Sequence, residues 1–191
     1  MSKTVDVNIG QVKVAKGRVI LTSTAIGSCV GIVAYDVTRK IGALAHVMLP
    51  GWAPKGKAKD EKTKYTGDAI EAIVSQMTKL GSRIDDIQIA VVGGANVLQR
   101  KDDTISEDNI ESTFELLQKY NLKVRAKAVG GTVRRSVSLD IESGKIYFSE
   151  ADEAKKLLWE PEKNDQKSRA IGRKQQNNPH SNSFRNSILA Y

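Results

Sequence analysis

Two side chains in this sequence are rare in kind, and both are reactive. Cys29 is the one cysteine, and His46 is the one histidine besides His180 in the polar C-terminal stretch. A thiolate is the nucleophilic form of cysteine, and a neighbouring imidazole draws the thiol below its ordinary pKa of ~8.5. Gly27-Ser28 just before Cys29 predicts a tight turn whose backbone N–H groups are free to hold a tetrahedral oxyanion. A third group, hydroxyl or carboxylate, is needed to hold the imidazole tautomer. The runs 30–36 and 39–47 read as a hairpin, and a symmetrical loop at 36–39 puts Cys29 directly opposite His46. Opposed residues on antiparallel strands have Cβ atoms ~5 Å apart on one face, within reach of a thiol–imidazole contact. A three- or five-residue loop would shift the register and separate the pair. The residues alone leave a second reading open: Cys29 as a small buried hydrophobe and His46 as a satisfied core histidine.

The elements that must position these groups follow from periodicity. Val5, Val7, Ile9, Val12 and Val14 alternate irregularly, as one or two edge strands would. Val19–Leu21 and Val30–Tyr35 are β-rich runs broken by Gly27-Ser28, and Ile41–Leu49 continues the apolar pattern until Pro50. Residues 51–65, rich in Lys, Gly and Pro, read as a mobile loop. A helix capped by Thr66 or Asp68 carries Ile70, Ile73, Val74, Met77 and Leu80 at helical spacing and stops at Gly81. Residues 87–92 form a short buried strand running into Gly93-Gly94. A second helix starts at Ser106, with Ile110, Phe114 and Leu117 as its buried face and Asn121 as a left-handed cap. Residues 122–128 alternate strictly, a strand with one wet face. After Gly130-Gly131 a hairpin of 133–141 and 145–148 turns at Ser143-Gly144. Strands outnumber helices and cluster in hairpins, so the expected class is α+β with mixed β-sheets and flanking helices.

With 191 residues, 40% apolar, the chain suits one domain over residues 1–159 and a polar, basic tail over 160–191 that is expected to be disordered. No apolar stretch follows Met1 and none approaches the ~20 residues of a membrane helix, so a soluble, cytoplasmic protein without membrane insertion is expected. One cysteine precludes an internal disulfide, as suits a reducing compartment. The formal charge of +8 favours an acidic partner. Aromatics at 5% and no aromatic-interleaved basic patch argue against nucleic acid. One cysteine and two histidines offer no tetrahedral zinc set, and the glycine pairs match neither a P-loop nor a dinucleotide fingerprint, so no cofactor is expected.

Ile26-Gly27-Ser28-Cys29-Val30, followed by Ala45-His46-Val47-Met48-Leu49-Pro50 seventeen residues beyond the cysteine, resembles the CheD family of chemoreceptor glutamine deamidases. The resemblance runs from about residue 5 to 150 through Lys64-Tyr65, Gly93-Gly94-Ala95, Asn109, Gly130-Gly131, Arg135-Ser136 and the Glu142–Lys145 turn. Departures are Glu107, where the family tends to have Gly, and Asp108 in place of a common Arg. The resemblance implies a fold shared with bacterial deamidating toxins and a Cys–His–Thr catalytic set. The family's threonine, six residues before the cysteine, falls on Ser23, flanked by Thr22 and Thr24. The catalytic residues it implies are therefore Cys29, His46 and Ser23, with Gly27 and Ser28 supporting the oxyanion.

The implied reaction converts glutamine side chains of chemoreceptor cytoplasmic domains to glutamate through a thioester, with hydrolysis of receptor methyl esters as a side activity. The implied partners are the receptors and the CheC phosphatase, and the protein is expected to be a monomer. Two rivals stay open: a non-catalytic chemotaxis adaptor using the same cleft to bind receptors or CheC, and a general cysteine protease or amidase.

Overall fold

The computed structural model describes residues 2–102 and 104–162. Most of the tail expected from residue 160 lies outside the described residues. The described strands form two five-stranded sheets. In one, β1 (Lys3–Asp6), β3 (Val19–Ile26), β8 (Arg135–Asp140), β9 (Ile146–Glu150) and β10 (Lys156–Trp159) lie side by side in that order. The other runs β2 (Val12–Lys16), β5 (Ile41–Val47), β4 (Val30–Asp36), β6 (Ile87–Gly93) and β7 (Lys123–Val129). Two of the pairings are parallel, β1 with β3 and β6 with β7, and the rest antiparallel. The expected mixed-sheet α+β class is what forms, with the N-terminal alternation supplying one edge strand to each sheet.

β4, β5 and β6 are buried at every position. A strand covered on both faces has no reason to alternate, which is why these segments read as continuous apolar runs. One face, with Ile32, Ala43 and Val91, packs on Ile70, Ile73 and Met77 of α2 (Thr66–Lys79) and Leu116 and Leu117 of α3 (Ile105–Lys119). The other face, with Val33, Tyr35, Leu44 and Val92, packs on Leu21, Val137 and Leu139 of the opposing sheet. The order is therefore sheet, sheet, helices.

Both helices stop by the same device. Gly81 (φ +104°) and Asn121 (φ +54°) take the left-handed conformation, and the next N–H in each case reaches back, Ser82 to the Met77 carbonyl and Leu122 to that of Leu117. The starts differ from expectation. Tyr65 occupies the N-cap of α2 without a side-chain bond, while the Thr66 hydroxyl donates to the Leu49 carbonyl and Asp68 accepts the Ala53 N–H. Thr66 and Asp68 tie the 49–53 segment down instead of capping the helix. The segment 51–65 also contains a short helix, α1 (Lys59–Lys62).

The β4–β5 hairpin also departs from expectation. Asp36 pairs with Ile41 and Gly31 with His46, so the loop spans 37–40 and Cys29 does not face His46. Buried Asp36 causes this. Its carboxylate accepts the N–H groups of Thr38 and Arg39 and pairs with the Arg39 guanidinium, while Lys40 turns left-handed at φ +52°. The difference is two residues, and side chains alternate with a period of two. Gly31 and Leu44 therefore share the inter-sheet face with His46, and Cys29 sits at the edge of that same core.

Candidate active site

Ser23 lies on β3, paired with Val137 of β8, just before the register slips ahead of the Ile26–Arg135 pair. The slip is a bulge, with Ala25 at φ +56°. It leaves Ser23 facing the inter-sheet core, 2% exposed, and frees the chain to turn toward Cys29. The Ser23 hydroxyl donates to the Val7 carbonyl at 2.8 Å and lies 2.9 Å from His46 Nδ1. A hydroxyl has one proton. With that proton on Val7, Oγ accepts from Nδ1–H, which assigns the imidazole tautomer and leaves Nε2 as a bare lone pair.

His46 is 3% exposed. Burial pulls its pKa below the ordinary histidine value, opposed in part by the Val7 carbonyl, so the ring is neutral at pH 7. Nε2 is buried and has no hydrogen-bond partner among the described residues. An unpaired buried polar atom costs ~1–3 kcal/mol, and natural folds satisfy nearly all such atoms, so this nitrogen is a candidate for chemistry.

Cys29 is the free, half-buried thiol at the end of the 27–29 loop. Burial pushes its pKa up, an effect its own backbone N–H partly offsets. The expectation of a thiol drawn down by the imidazole is therefore corrected, because burial disfavours both charged forms and the resting pair is neutral. Among the described residues no hydrogen bond joins the thiol to the imidazole. The structure brings Ser23 and His46 into contact, and places Cys29 on the same face of the hairpin.

The 27–29 loop is held by its carbonyls. Gly27 O accepts from Ala95 N–H at 2.8 Å, Ser28 O from Asn109 Nδ2 at 2.9 Å, and Cys29 O from Gly94 N–H at 2.7 Å. Among the described residues no other residue accepts from the N–H groups of these three, and that of Cys29 lies against its own sulfur. A run of N–H groups that no other residue engages, beside a thiol, is the arrangement an oxyanion needs. Gly93 (φ +116°) is required here, since a Cβ would meet the Cys29 carbonyl and come within 2.5 Å of Ile26. Two cavities share Ala25 in their linings: one of about 540 Å3 reaches Ser23 and His46, and one of about 270 Å3 is lined by Gly27, Ser28, Val97, Leu98 and Arg134.

Sequence reasoning assigned no site role to Asn109. The signal was present in α3, whose buried positions Ser106, Asn109, Thr113, Leu116 and Leu117 follow helical spacing but begin with three polar residues. Choosing the apolar residues instead put the buried face on Ile110, Phe114 and Leu117, of which Leu117 is buried and the other two only partly so.

The family model described as CheD chemotactic sensory transduction matches residues 48–150. The probable chemoreceptor glutamine deamidase CheD of Chlorobium luteolum is 34% identical over 151 residues, 79% of this chain and 75% of that protein. The chemoreceptor glutamine deamidase CheD of Thermotoga maritima is 32% identical over 140 residues, 73% of this chain and 87% of its own. Among solved structures, the hypothetical protein YfiH of Bacillus licheniformis superposes with a TM-score of 0.39 at 13% identity over 61% of this chain and 51% of that one, too loose a likeness to carry an argument.

Proposed function

Since the chain belongs to the CheD family, we propose that it is a chemoreceptor glutamine deamidase, converting glutamine side chains of receptor cytoplasmic domains to glutamate with release of ammonia. The observation that carries the mechanism is the Ser23–His46 bond, which leaves a bare, buried Nε2 on the sheet face that the single cysteine shares. His46 takes the thiol proton as Cys29 attacks the side-chain carbonyl, and the oxyanion rests on the N–H groups of the 27–29 loop. The imidazolium returns its proton to the leaving ammonia, forming a γ-glutamyl thioester. Water deprotonated by His46 then releases glutamate and restores the thiol. The burial that keeps both groups neutral at rest makes the proton transfer part of attack.

The reading extends to a cytoplasmic monomer whose catalytic unit is residues 1–159, with 160–191 as an appended tail. Its fold class is that of the deamidating-toxin cysteine hydrolases, and its second partner is the CheC phosphatase. Receptor methyl esters are a secondary substrate, since a thiolate attacks either acyl group. Mass spectrometry of a receptor cytoplasmic fragment tests the reaction: glutamines should gain the mass of NH2 replaced by OH with the parent chain and not with Cys29→Ala. Receptor binding without any such gain would make the protein an adaptor, and scission of the receptor backbone would make it a protease.

A further inference from the structure

We propose that Asn109 is a positioning residue for the oxyanion-binding loop, its side-chain amide aiming the Cys29 backbone N–H at the substrate's acyl oxygen. The inference rests on the deamidase reading of this site. Asn109 is 1% exposed on α3, and its Nδ2 donates to two carbonyls, Ser28 at 2.9 Å and Met48 at 3.0 Å. Two acceptors in front of one nitrogen fix the orientation of the amide, because its oxygen in that place would face two oxygens.

Peptide planarity turns this bond into an aiming device. The Ser28 carbonyl and the Cys29 N–H belong to one peptide unit and point opposite ways across a trans bond. Holding the carbonyl against Asn109 therefore directs the Cys29 N–H away from α3, to a side where no other described residue accepts from it. The second bond ties the same side chain to Met48, just past the end of β5, the strand that carries His46. One amide thus fixes the nucleophile's loop relative to the base.

Asn109 also retains a defect. Its Oδ1 is buried with no partner among the described residues. An unpaired buried acceptor costs ~1–3 kcal/mol, against which stand the two bonds its Nδ2 donates. Retention of an amide here fits a demand for two donors in fixed directions.

The test compares two reactions of the same thiol in the full chain. Deamidation develops an oxyanion; alkylation of Cys29 by iodoacetamide displaces iodide and develops none. Asn109→Ala is expected to lower kcat for deamidation of a receptor cytoplasmic fragment by roughly ten- to a thousandfold, toward the loss of an oxyanion donor. The alkylation rate and KM are expected to stay within about twofold of the parent. Thr113→Val serves as the control, since Thr113 is 0% exposed and its hydroxyl, among the described residues, bonds only to the Asn109 main-chain carbonyl at 2.7 Å. It should keep both rates. If Asn109→Ala does not fold, Asn109→Ser, which retains one donor, is read by the same pair of reactions and should show the same split. Deamidation unchanged in the variant, alkylation falling in step with it, or the same split in Thr113→Val would each overturn the proposal. A parent chain that releases no ammonia would refute the deamidase reading itself.

Discussion

Ser23 Oγ has two neighbours and one proton, and where that proton goes decides what His46 can do. Donated to Val7, it leaves the imidazole to donate through Nδ1 and present Nε2 as a base. Ser23→Ala removes the acceptor and frees the ring to take the other tautomer. We expect kcat to fall by roughly ten- to a hundredfold, at the low end of what a positioned base supplies. Ser23→Thr, which keeps the oxygen, should stay near the parent, and equal losses in both would show that the hydroxyl is not the ring's partner. The pH profile checks the same ring independently. Only neutral His46 accepts a proton, and burial lowers its pKa, so the acid limb of kcat/KM should have its midpoint below the ordinary value of 6.5. A midpoint at or above that value would contradict the burial account. The linked stability has the same sign: the unfolded chain binds the proton first, so stability present above pH 6.5 declines as pH falls below it. Cys29 and His46 were legible in the sequence as single reactive groups. Ser23 was legible only through family resemblance, since a serine between two threonines in a strand has nothing in its spacing that marks an inward hydroxyl.

At the scale of the element, legibility followed how local each cause is. The stops at Gly81 and Asn121 depend on one residue's left-handed conformation, and both were readable. The buried runs of β4 and β6 were readable because covered strands need no alternation. The hairpin register was not, because it depends on a buried aspartate that folds over its own loop and binds Arg39, which also pairs with Asp86 near the start of β6 at 2.8 Å. Nor was the inner face of α3, where Ser106, Asn109 and Thr113 make contacts that apolar periodicity cannot reveal. The glycine ending β6 offers a quantitative check. Gly93 and Gly17 both have positive φ, but a Cβ at Gly93 would strike the Cys29 carbonyl, whereas at Gly17 nothing lies within 4 Å. Gly17→Ala should cost only the conformational term, ~1–2 kcal/mol. Gly93→Ala adds displacement of backbone and should cost ~1–3 kcal/mol more, read from urea midpoints at unchanged m. It should also slow alkylation of Cys29. Equal costs would show that the close approach of β6 to the Cys29 loop is not needed.

For the whole molecule, the two sheets meet where the chemistry is proposed, since Ser23 belongs to one sheet and His46 to the other. The sandwich that holds them is tied at β10, the last described strand: Trp159 packs edge-on against Tyr35 with ring centroids 6.5 Å apart, and Glu160 pairs with Lys145 at 3.3 Å. These contacts lie before residue 163, so a chain ending at Glu162 keeps every contact described around Ser23, Cys29, His46 and Asn109. It also loses charge. Residues 163–191 carry six Lys or Arg against one Asp, so their removal lowers the formal charge from +8 to +3. Attraction between exposed charges raises encounter rates and is screened over ~10 Å at 0.1 M salt. Truncation after Glu162 should therefore leave kcat for a soluble receptor fragment within about twofold, while kcat/KM falls at low salt and its salt dependence flattens. Measuring both constants from low to high ionic strength separates these effects. A fall in kcat itself would show that the catalytic unit extends beyond Glu162, and an unchanged salt dependence would show that the basic residues of 163–191 do not steer the substrate.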